Sequence, residues 1–243
     1  MLLTESHREG SNPSLTASIY LKVGLLLSGQ LRNADEVFPK FKSNLLDRYD
    51  TDVYISTWDS PNIYDSIKLF NPIEVDIENY ESGFQTIFKD IVKDDEWKLE
   101  TNANLVSACA MWYKTMRVHQ LKQNRDRWFG YQYDVIIKTR PDILIEQPIE
   151  LLEPSQNTIY IPKGWDWSEG IGDLMAYGDN KVMNDYCTLF YDFKSTIKSM
   201  DKINPERILK TYLNDFEEIK IERPEVDLTL RDMNIKTTYW FSQ

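Results

Sequence analysis

A polar turn closes the first apolar run of the chain and carries groups that could hold phosphate. The run Tyr20–Ser28 (YLKVGLLLS) is followed by Gly29, Gln30 and Arg32. Glycine lets a backbone approach a ligand closely, and a planar guanidinium suits two phosphate oxygens at once. Open parallel sheets bind ligands just beyond the carboxyl ends of their strands, which is where this turn falls. A tight turn with a surface arginine is the alternative, because the glycine spacing of a dinucleotide or P-loop motif is lacking.

A second candidate is the segment Lys138–Asp142 (KTRPD), which ends another apolar run. Pro141 cannot donate to a strand ladder and pushes Arg140 into an extended conformation, so the strand must stop there. Asp142 then lies at a strand end, where a carboxylate could meet a divalent cation that bridges two phosphates. Arg140 could neutralise phosphate charge or hold Asp142. The alternative is an ion pair between the two that only orders the turn.

The third candidate is a loop rich in glycine and tryptophan, Lys163–Gly172 (KGWDWSEGIG), which leads to Asp173. The rings of Trp165 and Trp167 could stack on a sugar face. Glu169 and Asp173 could act as a base or bind a hydroxyl group of an acceptor. A solvated acidic loop anchored by tryptophans is the alternative.

The second predicted strand supplies a fourth candidate pair, Asp52 and Trp58. A carboxylate here could bind the hydroxyl groups of a ribose or the edge of a base. Asp52 could equally be an ordinary residue at the start of a strand.

Strands and helices alternate along the sequence in a pattern typical of a parallel sheet with crossover helices. Continuous apolar runs indicate buried parallel strands, and apolar residues three or four apart indicate helices. Asn204 followed by Pro205 is a strong helix start. The predicted strands are Tyr20–Ser28, Asp52–Ser56, Ile73–Ile77, Tyr133–Lys138, Thr158–Ile161 and Ile219–Ile221, with a strand-like Thr237–Phe241. The predicted helices are Asn33–Asp47, Asn102–Trp128, Asn180–Ser199 and one that begins at Asn204.

Composition limits the partners of the protein. The 243 residues carry a formal net charge of −11, which disfavours binding to nucleic acid, and no run is apolar enough to span a bilayer. The two cysteines, Cys109 and Cys187, are predicted to be buried free thiols. We expect a polar tail over residues 1–19 and one domain over 20–243. A reducing cytoplasm is the expected location, with peripheral association with a membrane as the alternative.

The order of the motifs resembles a group of GT-A-like glycosyltransferases that occurs in bacterial surface-polysaccharide loci and in viruses. The resemblance rests on SGQLR, DVYISTW, YDVIIKTRPDILI, IYIP, GDLMAYGD and NPERILKTYL, and it spans roughly Lys22 to Leu213. It implies a single Rossmann-like α/β domain with a mostly parallel sheet flanked by helices. It also implies transfer of a sugar from a nucleotide-diphosphate-sugar donor to a saccharide hydroxyl.

The resemblance implies a role for each candidate residue. The donor is expected to contact Ser28, Gly29, Gln30, Arg32, Asp52, Trp58, Arg140 and Asp142. Asp142 is also the expected ligand of Mn²⁺ or Mg²⁺, although Arg140 stands where these enzymes have the first acid of an Asp-any-Asp element. Asp173 or Glu169 is the expected base, and Trp165 and Trp167 shape the sugar site. A sugar-phosphate nucleotidyltransferase and a non-catalytic carbohydrate-binding module are the alternatives.

Overall fold

The computed structural model describes residues 21–91, 105–130 and 132–230. The expected tail over 1–19 and the strand-like segment Thr237–Phe241 lie outside these ranges. The strands are β1 Lys22–Ser28, β2 Asp50–Trp58, β3 Glu74–Glu78, β4 Val135–Thr139, β5 Ile143–Ile145, β6 Thr158–Tyr160, β7 Met175–Gly178, β8 Lys220–Glu222 and β9 Leu228–Leu230.

Seven of these strands form one sheet in the order β3-β2-β1-β4-β7-β6-β8. Strands β1 to β4 run parallel, and β7 is antiparallel to both of its neighbours. Since β6 and β8 are parallel to each other, six of the seven strands point the same way. The expected α/β architecture with a mostly parallel sheet is confirmed.

The strand order places a topological switch between β1 and β4. From β1 the chain crosses to β2 and β3 on one side, and it returns to β4 on the other side. Ligands of doubly wound sheets bind at such a point, beyond the carboxyl ends of the strands. We call the edge where β1, β2 and β4 end, at Ser28, Trp58 and Thr139, the carboxyl edge.

The helices are α1 Ala34–Asn44, α2 Ile63–Phe70, α3 Gln85–Ile91, α4 Leu105–Phe129, α5 Asn180–Cys187, α6 Leu189–Lys198 and α7 Pro205–Leu213. The side chain of Asn204 accepts from the backbone N–H of Arg207 at 2.7 Å and caps α7, which confirms the predicted start.

The helix predicted over Asn180–Ser199 is two helices. The Thr188 hydroxyl donates to the carbonyls of Asn184 and Asp185, which ends α5 there.

Two apolar layers cover the two faces of the sheet. Leu26 and Tyr54 face a layer built largely from α4 to α7, whereas Leu25 and Leu27 face α1, α2 and the small β5–β9 sheet. Alternation along β1 divides its buried residues between the two layers, as expected for a strand covered on both faces.

Two further findings concern the cysteines and the helices. Cys109 and Cys187 are buried and unbonded to each other, as predicted. Among the described residues, no helix is both long and apolar enough to cross a membrane.

Candidate functional site at the carboxyl edge

The turns that follow β1 and β4 lie side by side. Leu27 pairs with Thr139 at the ends of these parallel strands. Gly29 has a φ of 119°, a conformation that other residues rarely adopt, and a Cβ placed on it would lie 4.0 Å from Cδ of Pro141. The backbone N–H of Gly29 donates to the Ser56 carbonyl at 3.1 Å, which ties the turn to β2. The two turns therefore form one surface, as their positions in the sequence suggested.

Arg140 and Asp142 form a two-point ion pair within the second turn. Arg140 donates from Nε and from an Nη to the two carboxylate oxygens at 2.8 and 2.7 Å. Asp142 is 3% exposed, whereas the Arg140 side chain remains 28% exposed. Burial would raise the pKa of Asp142, but the hydrogen bonds and charge of Arg140, together with the charge of Arg32, lower it below its ordinary value. Asp142 therefore stays ionised and fixes the guanidinium of Arg140.

Arg32 is exposed and adds a second guanidinium to the same surface. Its Nε donates to the side-chain oxygen of Gln30, so the first turn orients its own arginine. The hydroxyl of Ser28 is buried and lies 3.1 Å from the hydroxyl of Thr115 on α4, which holds the end of β1 against that helix.

The antiparallel direction of β7 brings the tryptophan loop to the carboxyl edge. Thr139 pairs with Met175, so Asp173 and Leu174 lie beside the end of β4. The ammonium of Lys138 donates to the Asp173 carbonyl at 3.0 Å, and the Thr139 hydroxyl donates to the Leu174 carbonyl at 3.0 Å. Asp173 itself is 7% exposed.

Lys138 is a completely buried cation directly below this edge. Burial lowers its pKa to about 8, and the negative charge of Asp173 opposes that effect. A buried ammonium is costly unless polar groups solvate it. The Asp173 carbonyl and the negative charge of Asp173 therefore stabilise the charged form of Lys138.

The loop is held by Asp166, whose carboxylate accepts from Gly172 N at 2.7 Å and from Arg223 at 2.8 Å. The Trp165 indole donates to the Leu228 carbonyl at 3.1 Å, and the residue borders a small pocket that is also lined by Pro162, Gly172 and Met175. Trp167 is 61% exposed, which leaves its ring available to a ligand.

Glu169 is exposed, in contrast to Asp173. Its backbone carbonyl accepts from Lys210 at 2.6 Å, which anchors this part of the loop to α7. The two carboxylates that sequence analysis treated as equivalent therefore have different surroundings.

Sequence analysis missed one carboxylate, Glu206 in the first turn of α7. Burial, followed by the charges of Asp173 and Asp166, raises its pKa to about 7. In the sequence, an acid after Asn204-Pro205 is an ordinary feature of a helix start, where it complements the helix dipole. Only the packing of the loop against α7 distinguishes it.

Asp52 does not lie with the other candidates, and its position contradicts the predicted role in donor binding. It pairs with Gly24, four residues before the Ser28–Ser56 pair, which places it about 13 Å back from the carboxyl edge. Its carboxylate accepts from the Tyr133 hydroxyl at 2.9 Å. The strand begins at Asp50, and Asp52 is the strand-start residue that the alternative described.

Trp58 lies at the correct edge but inside the core. It is 6% exposed, stacks on Tyr113 with the ring centroids 5.9 Å apart, and carries the ammonium of Lys114 4.2 Å from its own ring centroid. Because these neighbours pack against the ring, little of its surface is left to stack on the nucleobase of a donor.

The predicted Mn²⁺ or Mg²⁺ site does not fit the residues present. Both oxygens of Asp142 are used by Arg140, and the first acid of the expected element is replaced by that arginine. Within the described ranges, no group of three or more His, Cys, Asp or Glu side chains is arranged to hold a metal ion. The positive charge at this edge comes instead from Arg32 and Arg140.

Comparison with known proteins gives no family assignment: no protein-family model matches the chain, and no curated protein matches it in sequence.

Proposed function

We propose that the protein is a GT-A-like glycosyltransferase that moves a sugar from a nucleotide-diphosphate-sugar donor to a saccharide hydroxyl. The observation that carries this proposal is the pair of guanidiniums, Arg32 and Arg140, at the switch point between β1 and β4. A loop with an exposed tryptophan and a buried aspartate reaches the same edge.

The two arginines suit the leaving group of such a reaction. When the bond between the sugar and the nucleoside diphosphate breaks, negative charge develops on the diphosphate and must be stabilised. Asp142 holds Arg140 by two hydrogen bonds, so this guanidinium is oriented before the donor binds. Arg32 is more exposed and can approach the phosphates from the other turn. Since the residues do not fit a metal site, we assign no step to a metal ion.

The tryptophan loop suits the acceptor. The exposed ring of Trp167 offers an apolar surface on which a sugar can stack, and the half-buried Trp165 lines a small pocket in the same loop. The ammonium of Lys138 donates to the backbone carbonyl of Asp173, which holds this residue beside the end of β4. The Asp173 carboxylate is our candidate for the group that orients an acceptor hydroxyl. Glu169 is exposed and is the weaker candidate for that role. The two buried thiols suit a reducing cytoplasm, where we propose that the protein acts.

A thermal-shift panel separates this function from its two alternatives. We expect UDP, GDP, ADP or CDP to raise the melting temperature by about 5–10 °C when it is present at about 100 times its Kd. Stabilisation by a nucleoside triphosphate alone would favour a nucleotidyltransferase. Stabilisation by free glycans alone would favour a binding module, and either result would refute the proposal.

A further inference from the structure

Arg223, which directly follows β8, binds three groups of the chain at once. Its Nε donates to the Ile161 carbonyl at 2.9 Å, and one Nη donates to the Pro162 carbonyl at 3.0 Å. The same Nη lies 2.8 and 2.9 Å from the two carboxylate oxygens of Asp166. The fork of a guanidinium suits several acceptors at the same time. Arg223 therefore fastens the end of β8 to the segment after β6 and to the tryptophan loop, residues 163–172. We call the contact between Arg223 and Asp166 the latch.

Asp166 extends this constraint across the loop. Its carboxylate also accepts from the N–H of Gly172 at 2.7 Å, which closes the loop on itself. Gly172 packs tightly at this crossing, since an added Cβ would lie 2.8 Å from the carbonyl oxygen of Gly164. Arg223, Asp166 and Gly172 thus form a continuous series of contacts that ends at the residue before Asp173.

The backbone of the tryptophan loop needs such support. Trp165, Ser168 and Glu169 have φ values of 59°, 48° and 64°, in the left-handed region that residues with a Cβ disfavour. Each such residue costs free energy locally and persists only where the surrounding structure determines its conformation. Residues of this kind cluster at active sites and ligand clamps. The local sequence does not favour this conformation, so contacts with neighbouring elements must hold it.

Trp167 lies between two anchors of the loop. On one side is Asp166, which is held by the latch. On the other side is Glu169, whose carbonyl accepts from Lys210 of α7 at 2.6 Å. The exposed ring of Trp167 is therefore carried by a short segment that is fixed at both ends, and one of these ends depends on an ion pair.

We propose that Arg223 is a positioning residue of the acceptor site: through Asp166 it holds the tryptophan loop in the conformation that presents Trp167 and Asp173 to a saccharide. This inference rests on the proposed transfer function. Arg223 touches neither substrate in this scheme. It acts on the acceptor only through the shape of the loop.

The proposed donor site is oriented by other contacts. Arg140 is held by Asp142 in the turn after β4, and Arg32 is held by Gln30 in the turn after β1. Loss of the latch should therefore raise the acceptor KM and leave the affinity for a nucleoside diphosphate unchanged. A purely structural role would give a different result, because a smaller folded fraction lowers the apparent kcat without changing the KM of the molecules that remain folded.

The test compares Arg223→Ala and Asp166→Asn with wild type and with Glu225→Gln. Asp166→Asn keeps the size of the side chain and an oxygen for the Gly172 N–H, but it removes the charge that binds Arg223. Glu225→Gln is the matched control. It breaks the ion pair between Lys163 and Glu225, 2.6 Å long, which joins the same two segments but is exposed to solvent.

Amide hydrogen exchange measures the loop without any substrate. The backbone N–H groups of Gly170, Ile171 and Gly172 are all hydrogen-bonded and serve as reporters. In Arg223→Ala we expect them to exchange at least about 10-fold faster than in wild type, because a charged hydrogen bond that closes the loop is lost. Asp166→Asn should change exchange in the same direction, and the control should match wild type.

Nucleoside diphosphate release from UDP- and GDP-hexoses, with methyl hexosides as acceptors, gives the acceptor KM. We expect Arg223→Ala to raise this KM at least about 10-fold, while the Kd of the most stabilising nucleoside diphosphate stays within about twofold of wild type. Asp166→Asn should show the same split between acceptor and donor.

Two results would overturn the assignment of Arg223. One is a folded Arg223→Ala variant with wild-type exchange in the loop. The other is faster exchange with an unchanged acceptor KM. A wild-type protein that neither binds nor releases a nucleoside diphosphate would instead overturn the transfer function, and the role in acceptor binding with it. The exchange data would still show whether the latch holds the loop.

Discussion

Replacement of Glu206 by Gln should change how stability depends on pH. The folded protein raises the pKa of Glu206 from 4.5 to about 7, so the folded state binds this proton more tightly than the unfolded state. Wild type therefore loses stability as the pH rises from about 4.5 to about 7, and this contribution is constant above that range. Gln resembles the protonated acid at every pH and removes the loss.

The size of the effect follows from the two pKa values. Their difference of about 2.5 corresponds to at most about 3 kcal/mol. Because Glu206 is only half-buried, water screens part of this energy, and about 1–2 kcal/mol is the expected contribution. For a chain of this length, that corresponds to about 2–8 °C in melting temperature.

Thermal unfolding of wild type, Glu206→Gln and Glu217→Gln at pH 5 and pH 8 measures this contribution. The melting temperature of Glu206→Gln minus that of wild type should be about 2–8 °C larger at pH 8 than at pH 5. Glu217→Gln replaces an exposed acid just beyond α7 and serves as the control. An equal difference at both pH values for Glu206→Gln would refute the reasoning about its surroundings.

Three further predictions concern the groups around this site. Gly170→Ala should destabilise the protein by about 1–3 kcal/mol in denaturant unfolding, since its Cβ would overlap Glu206; an unchanged midpoint would contradict the packing. Lys138→Met should gain stability relative to wild type at pH 7, and this gain should shrink by about 1–3 kcal/mol as the pH rises from about 8 to 10.5. The folded state binds the Lys138 proton less tightly than the unfolded state does, and a gain that does not vary with pH would be inconsistent with this. In calorimetric titrations, EDTA should raise the Kd for a nucleoside diphosphate less than Arg140→Ala does. A larger increase with EDTA would show that a metal ion binds at this edge after all.

The strands that form the centre of the sheet could be predicted because they are buried on both faces. The runs that became β1 and β4 are continuously apolar, and such runs have few other stable placements. Their adjacency and common direction brought the two turns together. The strands β5, β7 and β9 were missed, whereas β6 and β8, which are equally short, were predicted. Three or four residues are too few to show a period, so the pattern alone does not separate such strands from loops.

The failure to predict β7 and its antiparallel direction had the largest effect on the predicted site. Its antiparallel course carries Asp173 to the carboxyl edge, whereas sequence analysis treated this segment as a loop beyond the strands. The prediction for Asp52 was wrong for a different reason. Its strand was predicted correctly, but the strand begins earlier, and register with Gly24 puts the carboxylate near the amino end.

Glu206 and Trp58 show what only tertiary packing decides. Nothing in the local sequence separates Glu206 from other acids in first helical turns, because its altered pKa comes from Asp173 and Asp166 in a distant loop. Trp58 has a plausible position at a strand end, but its ring is taken up by residues of α4. Sequence places a residue on an edge, whereas neighbouring elements decide whether it is accessible there.

The central claim is that Arg32 and Arg140 form one diphosphate site at the switch point between β1 and β4. Calorimetric titration of the most stabilising nucleoside diphosphate into wild type, Arg32→Ala and Arg140→Ala tests it most directly, with Arg127→Ala, an exposed arginine at the far end of α4, as the control. We expect each of the two site variants to raise Kd by about 10-fold or more, and the control to leave it unchanged. Wild-type affinity in both site variants would contradict the account.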